Sequence, residues 1–325
     1  MRNSGLVAVV FLALVLPWSI ASAQTDSKHL PRLSGAIFLI GDPTTNITLT
    51  SGKDTSTVQQ AGGEWYTSPS ISADGSVIAT AFHYLGDSRG FMHRIFATYS
   101  IPDNRWAEYK QTAFTNGVIA ISPNGTTLAY LEFKTDAAPA QFHFLDLPTG
   151  KTTAGPILEQ DAGTAISWSP DGHRIAFDME VPRARKKVPI PPLHAICVLD
   201  VQKGTVSKLA DGTLPSWSPS GDWIAFYNYS QGRDDPKRGW FATNANRVSV
   251  MHPDGTGSMV LAKLPFDEDL RVPSVWSPDS KTILINKLQD KVNDTMDIYQ
   301  LTLASRKLKR KFKNAAPVYA WVAAK

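Results

Sequence analysis

The sequence predicts an all-β fold, and three observations support this prediction. A short segment recurs five times, each time as a tight turn between two apolar strands. The 325 residues include 22 Gly and 22 Pro, which suits a chain with many turns between short strands. No stretch between these turns keeps the 3.6-residue apolar period of an amphipathic helix. A helical or mixed fold is therefore disfavoured.

Each copy of the repeat contains a serine at the start of the turn, namely Ser72, Ser122, Ser169, Ser218 and Ser277. Successive copies lie 47 to 59 residues apart, a period typical of solenoids and propellers. In Ser169–Gly172 (Ser-Pro-Asp-Gly), Pro presets φ, Asp bonds its own backbone and Gly accepts a positive φ. Two further strands follow each hairpin, so each repeat predicts a four-stranded propeller blade.

The two ends of the chain predict how the ring closes. Residues 317–322 resemble the first strand of a sixth repeat without its turn, and 36–40 and 46–49 resemble the last two strands of a blade. Joining both ends in one sheet removes an open sheet edge. We therefore expect a six-bladed β-propeller with four-stranded blades, the N- and C-terminal strands sharing one blade, which then has as few as three strands. An open or five-bladed array is the alternative.

Residues 1–23 have the features of a secretory signal peptide. Arg2 precedes the apolar run Leu6–Leu16, and Ala21–Ala23 offers a small-residue cleavage site. An uncleaved membrane anchor is the alternative, but the apolar run is short for a bilayer span. We expect one domain over residues 24–325 of a periplasmic or secreted bacterial protein, with no transmembrane segment after cleavage. The single cysteine, Cys197, excludes disulfides within the chain and is expected to be a buried thiol.

The segment Trp168–Phe177, Trp-Ser-Pro-Asp-Gly-His-Arg-Ile-Ala-Phe, resembles the WD-like propeller repeat of the TolB family. The resemblance extends over the five repeats and thus over most of the chain. It implies a propeller fold, an exported setting and a binding platform, but no particular activity. The α/β domain that precedes the propeller in TolB is expected to be absent here.

Strand order places the connections from second to third strand, and from blade to blade, on one face, here named the long-loop face. The hairpin turns and the connections from third to fourth strand lie on the other, the turn face. Long loops are expected on the first face at 84–91, 179–193, 229–245, 265–272 and 288–294. Because Arg and aromatic side chains often anchor interfaces, this face is the predicted binding surface. The candidate residues are His83, Arg89, His93, Arg183, Arg185, Lys186, Lys187, His194, Arg233, Lys237, Arg238, Trp240, Asp267, Glu268, Asp269 and Arg271.

The function predicted from these observations is that of a monomeric, non-catalytic module that binds a protein of the cell envelope. No nucleophile elbow, zinc-protease motif or phosphate-binding glycine loop is present, and we predict no catalytic residue, metal site or cofactor. The alternative is a lyase or hydrolase that acts on an extracellular polysaccharide at the channel mouth. The formal net charge of only +4 argues against nucleic acid as a partner.

Two sequence features leave a structural and a functional interpretation open. The basic stretch Arg306–Lys313 falls in the fourth strand of the last repeat, where lysines blunt an exposed sheet edge. Binding to anionic polysaccharide or lipid headgroups is the alternative for this stretch. Trp168, Trp217, Trp276 and Trp321 occupy equivalent positions, which favours packing between blades over a stacking platform for sugars.

Overall fold

The computed structural model describes residues 36–41, 46–51, 54–59, 69–83, 94–110, 118–133, 139–160, 162–181, 194–230, 244–264, 272–290 and 295–323. Within these ranges all regular secondary structure is β-strand, which agrees with the predicted all-β class. None of the described residues forms a helix long and apolar enough to cross a membrane.

The strands of the described residues are numbered in chain order. They are β1 (Ala36–Gly41), β2 (Asn46–Ser51), β3 (Asp54–Gln59), β4 (Ser70–Ile71), β5 (Val77–His83), β6 (Arg94–Ser100), β7 (Arg105–Lys110), β8 (Ile119–Ile121), β9 (Thr127–Glu132), β10 (Gln141–Asp146), β11 (Lys151–Ile157), β12 (Ala162–Trp168), β13 (Arg174–Glu180), β14 (His194–Asp200), β15 (Thr205–Asp211), β16 (Thr213–Trp217), β17 (Ile224–Ser230), β18 (Asn244–Met251), β19 (Met259–Lys263), β20 (Val275–Trp276), β21 (Thr282–Asp290), β22 (Thr295–Thr302), β23 (Lys307–Ala315) and β24 (Val318–Ala323).

The described strands form a propeller of four-stranded antiparallel sheets. Five blades are continuous in sequence, and each contains four consecutive strands in the order β4–β7, β8–β11, β12–β15, β16–β19 and β20–β23. The last described sheet is composite, with the order β24-β1-β2-β3. Neighbouring sheets contact each other through their first strands, from β4 through β8, β12, β16 and β20 to β24 and back to β4, so the ring is closed.

The predicted count of six blades needs correction, because only five of the described blades are complete, continuous units. The remaining sheet exists only because the two ends of the chain pair, with Phe38 opposite Trp321. The prediction that the N-terminal segment supplies two strands is also wrong, and the number of strands in this sheet, which the sequence left open at three or four, is four. Asp54–Gln59 adds a further strand through pairs such as Ile47 with Val58. The sequence of β3, Asp-Thr-Ser-Thr-Val-Gln, has a single apolar residue and therefore shows no apolar alternation.

The repeated turn is held by hydrogen bonds between its own side chains and backbone. In the last repeat the Ser277 hydroxyl donates to Asp279 Oδ1 at 2.6 Å, and Lys281 N donates to the same oxygen at 3.1 Å. These hydrogen bonds hold the pKa of Asp279 below its ordinary value, so the side chain is ionised at neutral pH. Gly172 in the third repeat has φ +73°, whereas Ser280 occupies the equivalent position with φ +58°.

Three successive blades use a buried polar side chain on the second strand to hold the next blade. Asp178 Oδ2 accepts a hydrogen bond from the Thr213 hydroxyl at 2.7 Å. Tyr227 accepts one from the Ser274 hydroxyl at 3.1 Å, and burial raises the pKa of Tyr227 so that it stays neutral. In the first two continuous blades, β4–β7 and β8–β11, the equivalent position on the second strand is apolar, as at Leu131, which is 1% exposed. Packing alone therefore joins those blades at this position.

Asn286 is the third of these side chains, and it holds the strand that closes the ring. Its Nδ2 donates to the Val318 carbonyl oxygen at 2.8 Å, and Val318 N donates to its Oδ1 at 2.8 Å. Both groups are buried, since Asn286 is 1% and Val318 0% exposed. The side chain amide thus replaces a backbone partner for β24, the only C-terminal strand in the composite sheet.

The tryptophans pack between blades, as the sequence predicts. Trp168 Nε1 donates to the Ala120 carbonyl oxygen at 3.0 Å, and Trp276 Nε1 donates to the Ser216 carbonyl oxygen at 3.0 Å. In both cases the acceptor lies on the first strand of the preceding blade. Trp276 is buried and Trp168 is half-buried. Indole rings packed and hydrogen-bonded between blades in this way do not form an open platform for sugars.

Cys197 is the buried thiol that the sequence predicts. It lies on β14 within the core and is fully buried, and this burial raises the pKa of the thiol to about 11. Since the thiolate is the reactive form, the thiol is nearly inert at neutral pH.

Gly172→Ala tests whether the repeated turn depends on its positive φ. Little else surrounds the position, since an added Cβ would meet only Pro123 Cδ at 4.0 Å. We expect the free energy of unfolding to fall by about 1 kcal/mol, because an L side chain is strained at this φ. Urea denaturation measures the change. Gly172→Asn is the matched control and should lose less, because Asn tolerates the left-handed region. Equal losses in the two variants would contradict the conformational explanation.

Asn286→Leu tests the bonds that hold β24, with the side chain that Leu131 provides in an earlier blade. The variant leaves the Val318 N–H and C=O unpaired, so we expect a loss of about 2–3 kcal/mol of unfolding free energy. Amide hydrogen exchange should increase in β24 and β1 first. Tyr227→Phe, which removes one neutral hydrogen bond, is the control and should cost about 1 kcal/mol without affecting β24. Unchanged exchange in β24 would show that Asn286 does not hold the closure.

Candidate binding face

The structure describes the side chain of one predicted site residue, His194, at the first position of β14. His83 is the last residue of β5 and marks the same end of the strands. The other predicted positions lie outside the described residues, namely Arg89, His93, Arg183, Arg185, Lys186, Lys187, Arg233, Lys237, Arg238, Trp240, Asp267, Glu268, Asp269 and Arg271. The strand ends that border the long-loop face are the part of it that the structure describes.

The two faces of the propeller differ in the length of their connections. On the long-loop face, residues 84–93, 181–193 and 231–243 separate second from third strands. On the turn face, third and fourth strands are separated by short segments such as 101–104 and 201–204. The predicted long loop at 288–294 is wrong, because β21 continues to Asp290 and pairs with β22 through Asp290 and Thr295. Only residues 291–294 remain between these two strands.

A buried carboxylate lies beneath His194 at the long-loop end of the third and fourth continuous blades. Asp178 is fully buried and receives hydrogen bonds from the Thr213 hydroxyl at Oδ2 and from Ala165 N, 3.1 Å away, at Oδ1. His194 Nδ1 lies 3.2 Å from Asp178 Oδ2, but the ring is not oriented for a hydrogen bond. The His194 side chain is 15% exposed, so it connects the buried carboxylate to the surface.

A second histidine–carboxylate pair borders the same face in the second continuous blade. His143 Nε2 lies 2.8 Å from Glu132 Oε2, at the end of β9. The His143 ring stacks on Tyr130 with a centroid distance of 5.4 Å. Burial raises the pKa of Tyr130, so its hydroxyl stays protonated at neutral pH. Two blades therefore present a partly exposed imidazole backed by a carboxylate.

Sequence reasoning missed Asp178, Glu132 and His143. A signal for Asp178 was present, because this acid directly follows the apolar run Ile175–Phe177 inside a buried strand, where charged residues are rare. Its partner could not be found in this way, because Thr213 belongs to the next repeat. Glu132 and His143 carry no comparable signal, since polar residues near strand ends are common.

The described residues contain no group of three or more His, Cys, Asp and Glu side chains that could hold a metal ion. The two histidine–carboxylate pairs supply two side chains each. Their chemistry suits hydrogen bonding and charge recognition of a partner, and each pair has one member that reaches the surface.

Comparison with known proteins finds similarity in structure alone. No protein-family model matches the sequence, and no curated protein matches it either. TolB from Acinetobacter baumannii superposes with a TM-score of 0.62 at 14% identity, over 88% of this chain and 66% of that chain. A putative TolB from Agrobacterium tumefaciens superposes with a TM-score of 0.53 at 17% identity, over 88% of this chain and 91% of that chain.

Solved structures with other functions share the fold as well. A chain of a nidogen/laminin complex gives a TM-score of 0.59 at 11% identity, over 88% of this chain and 97% of that chain. An oligogalacturonate lyase in complex with manganese superposes with a TM-score of 0.55 at 14% identity, over 83% of this chain and 75% of that chain. At these identities the likeness shows the fold and not the activity. The chain has a TolB-like β-propeller fold.

Asp178→Ala tests the importance of the buried carboxylate. The Thr213 hydroxyl and Ala165 N would lose their acceptor, so we expect the free energy of unfolding to fall by about 3 kcal/mol. Thr213→Val removes one of the hydrogen bonds and is the matched control, with an expected loss of about 1 kcal/mol. Urea denaturation at neutral pH measures both. A loss no larger than that of the control would show that Asp178 is not the centre of this contact.

Proposed function

We propose that this chain is an exported, non-catalytic binding module that recognises a protein of the cell envelope through the long-loop face. The signal-peptide features of residues 1–23 support an exported setting. The observation that carries the proposal is the difference between the two faces: three connections between second and third strands have ten or more residues on one face, and no connection between described strands exceeds seven residues on the other.

Two structural properties make the long-loop face suitable for recognition. A rigid ring of sheets holds the loop ends in place, which favours binding because less conformational freedom is lost. His194 and His143 lie at the border of this face, each beside a carboxylate. The sequence of the long loops adds Arg183, Arg238 and Trp240, residue types that often anchor protein interfaces.

Similarity to other propellers supports a binding role. The related chain from the nidogen/laminin complex comes from an assembly of two proteins. The two TolB structures agree with the resemblance of the repeat to that family. We transfer from these structures only the use of a propeller as a platform for a partner.

Charge reversal on the two faces tests the proposal. The purified chain is immobilised and incubated with an envelope extract, and bound proteins are quantified by mass spectrometry. We expect Arg183→Glu/Lys187→Glu to lower the recovery of a specific protein about tenfold, because the interface charge is reversed. Lys151→Glu/Lys203→Glu on the turn face is the matched control and should leave it unchanged. The assignment to the long-loop face would be contradicted if recovery of the bound protein fell only with the control variant, or if it fell with neither variant.

A second candidate function is an enzyme that acts on an extracellular polysaccharide at the channel mouth. The likeness to the oligogalacturonate lyase favours it, together with the Asp178–His194 contact at the long-loop face. The same purified chain, incubated with polyuronates with and without Mn²⁺, tests this candidate. Release of unsaturated sugar that His194→Ala abolishes would support the enzyme and contradict the non-catalytic proposal.

A further inference from the structure

The positive charge of the chain is concentrated on one outer strand. Arg306, in the turn before β23, and five cations of β23 are all exposed, namely Lys307, Lys309, Arg310, Lys311 and Lys313. These six cations exceed the formal net charge of +4, so the rest of the chain is slightly acidic. We call these six residues the basic strip.

Two of the six cations have partners that orient them. Arg310 Nη1 lies 3.1 Å from Asp297 Oδ2, and Asp297 is 1% exposed. Arg306 Nη2 lies 3.6 Å from the Met259 sulfur. The lysines differ, since none of the four forms an ion pair with another described residue. Lys307 and Lys309 face the neutral side chains Thr302 and Gln300 across the ladder. Their charge is therefore available to an external anion.

Protection of a sheet edge does not account for so many cations. The outer strands of the other described sheets, β3, β7, β11, β15 and β19, occupy the same edge position with at most two Lys or Arg each. In β23 the ladder is also interrupted by register shifts between Met296 and Ile298 and between Ile298 and Tyr299. Such bulges already hinder pairing with another strand.

The shape of the basic strip indicates the kind of partner. The residues from Lys307 to Lys313 extend over about 20 Å at roughly 3.3 Å per residue. Leu308 packs toward the fourth continuous blade, against residues such as Leu301. Phe312 packs toward the composite sheet, against residues such as Ile298. No large apolar side chain of this strand is therefore exposed. Membrane-surface segments combine basic residues with exposed apolar ones. A line of charges along an outer strand, without exposed apolar anchors, instead suits a linear polyanion that releases counterions on binding.

We propose that the basic strip binds a linear anionic polysaccharide along β23. The four lysines contact its acidic groups, while the Asp297–Arg310 pair fixes the middle of the strand. This surface lies on the outer rim of the propeller and is separate from the long-loop face. The two functions therefore fail or succeed independently.

Neutralising the four lysines tests the proposal with alginate, a linear polyuronate, as the probe. We expect Lys307→Gln/Lys309→Gln/Lys311→Gln/Lys313→Gln to weaken binding by about tenfold or more at low salt, with a shallower salt dependence. The matched control, Lys151→Gln/Lys203→Gln/Lys208→Gln/Lys281→Gln, changes four exposed lysines elsewhere and should bind like the original chain. Thermal unfolding checks that both variants fold. Lys309→Gln/Lys311→Gln should give an intermediate loss if the fourfold variant is unstable.

Three outcomes would overturn the proposal. The unaltered chain could fail to bind alginate at low salt, or both fourfold variants could lose binding equally, which would indicate a general charge effect. Binding to vesicles that contain anionic lipid, without binding to alginate, would assign the strip to a membrane surface instead. Retained alginate binding by Arg183→Glu/Lys187→Glu is expected, because that variant alters only the long-loop face.

Discussion

The architecture depends on the backbone pairing of β24 with β1. A chain of repeats has two ends, and each end would expose a sheet edge and one unpacked face. The pairing of Phe38 with Trp321 and of Ile37 with Val322 joins the two ends in one sheet. The first and last strands of the propeller are then covered like all the others. The N-terminal and C-terminal segments thus stabilise each other although they are distant in sequence.

Contact between blades depends on one equivalent position, which is apolar in the first two continuous blades and polar in the next three. In the earlier blades Ala81 and Leu131 pack as apolar side chains, while Asp178, Tyr227 and Asn286 form hydrogen bonds to the next blade. Buried polar groups are costly unless they are paired, so each bond fixes the relative position of two blades. The contact of Asn286, which binds both backbone groups of Val318, lies at the closure, where the strand comes from the other end of the chain.

The two proposed binding surfaces, the long-loop face and the basic strip, lie on different parts of the propeller. The long-loop face gathers connections from several blades, so its residues are far apart in sequence and their arrangement depends on the ring. The basic strip is local to β23 and needs only that this strand lie on the outside of its blade. On the two proposals taken together, one chain holds a protein partner and an anionic polymer at once.

The repeat, the turn chemistry, the four-stranded blade and the inward position of Trp168, Trp276 and Cys197 could all be predicted from the amino-acid sequence. These features are local, since they follow from the residues between one turn and the next. The third N-terminal strand β3, the length of β21 and the partners of Asp178 and Asn286 became visible only in the folded ring. Each of these depends on a neighbour from another repeat or from the other end of the chain. Such a contact leaves no pattern within either segment, because its energy arises only when the ring brings the two segments together.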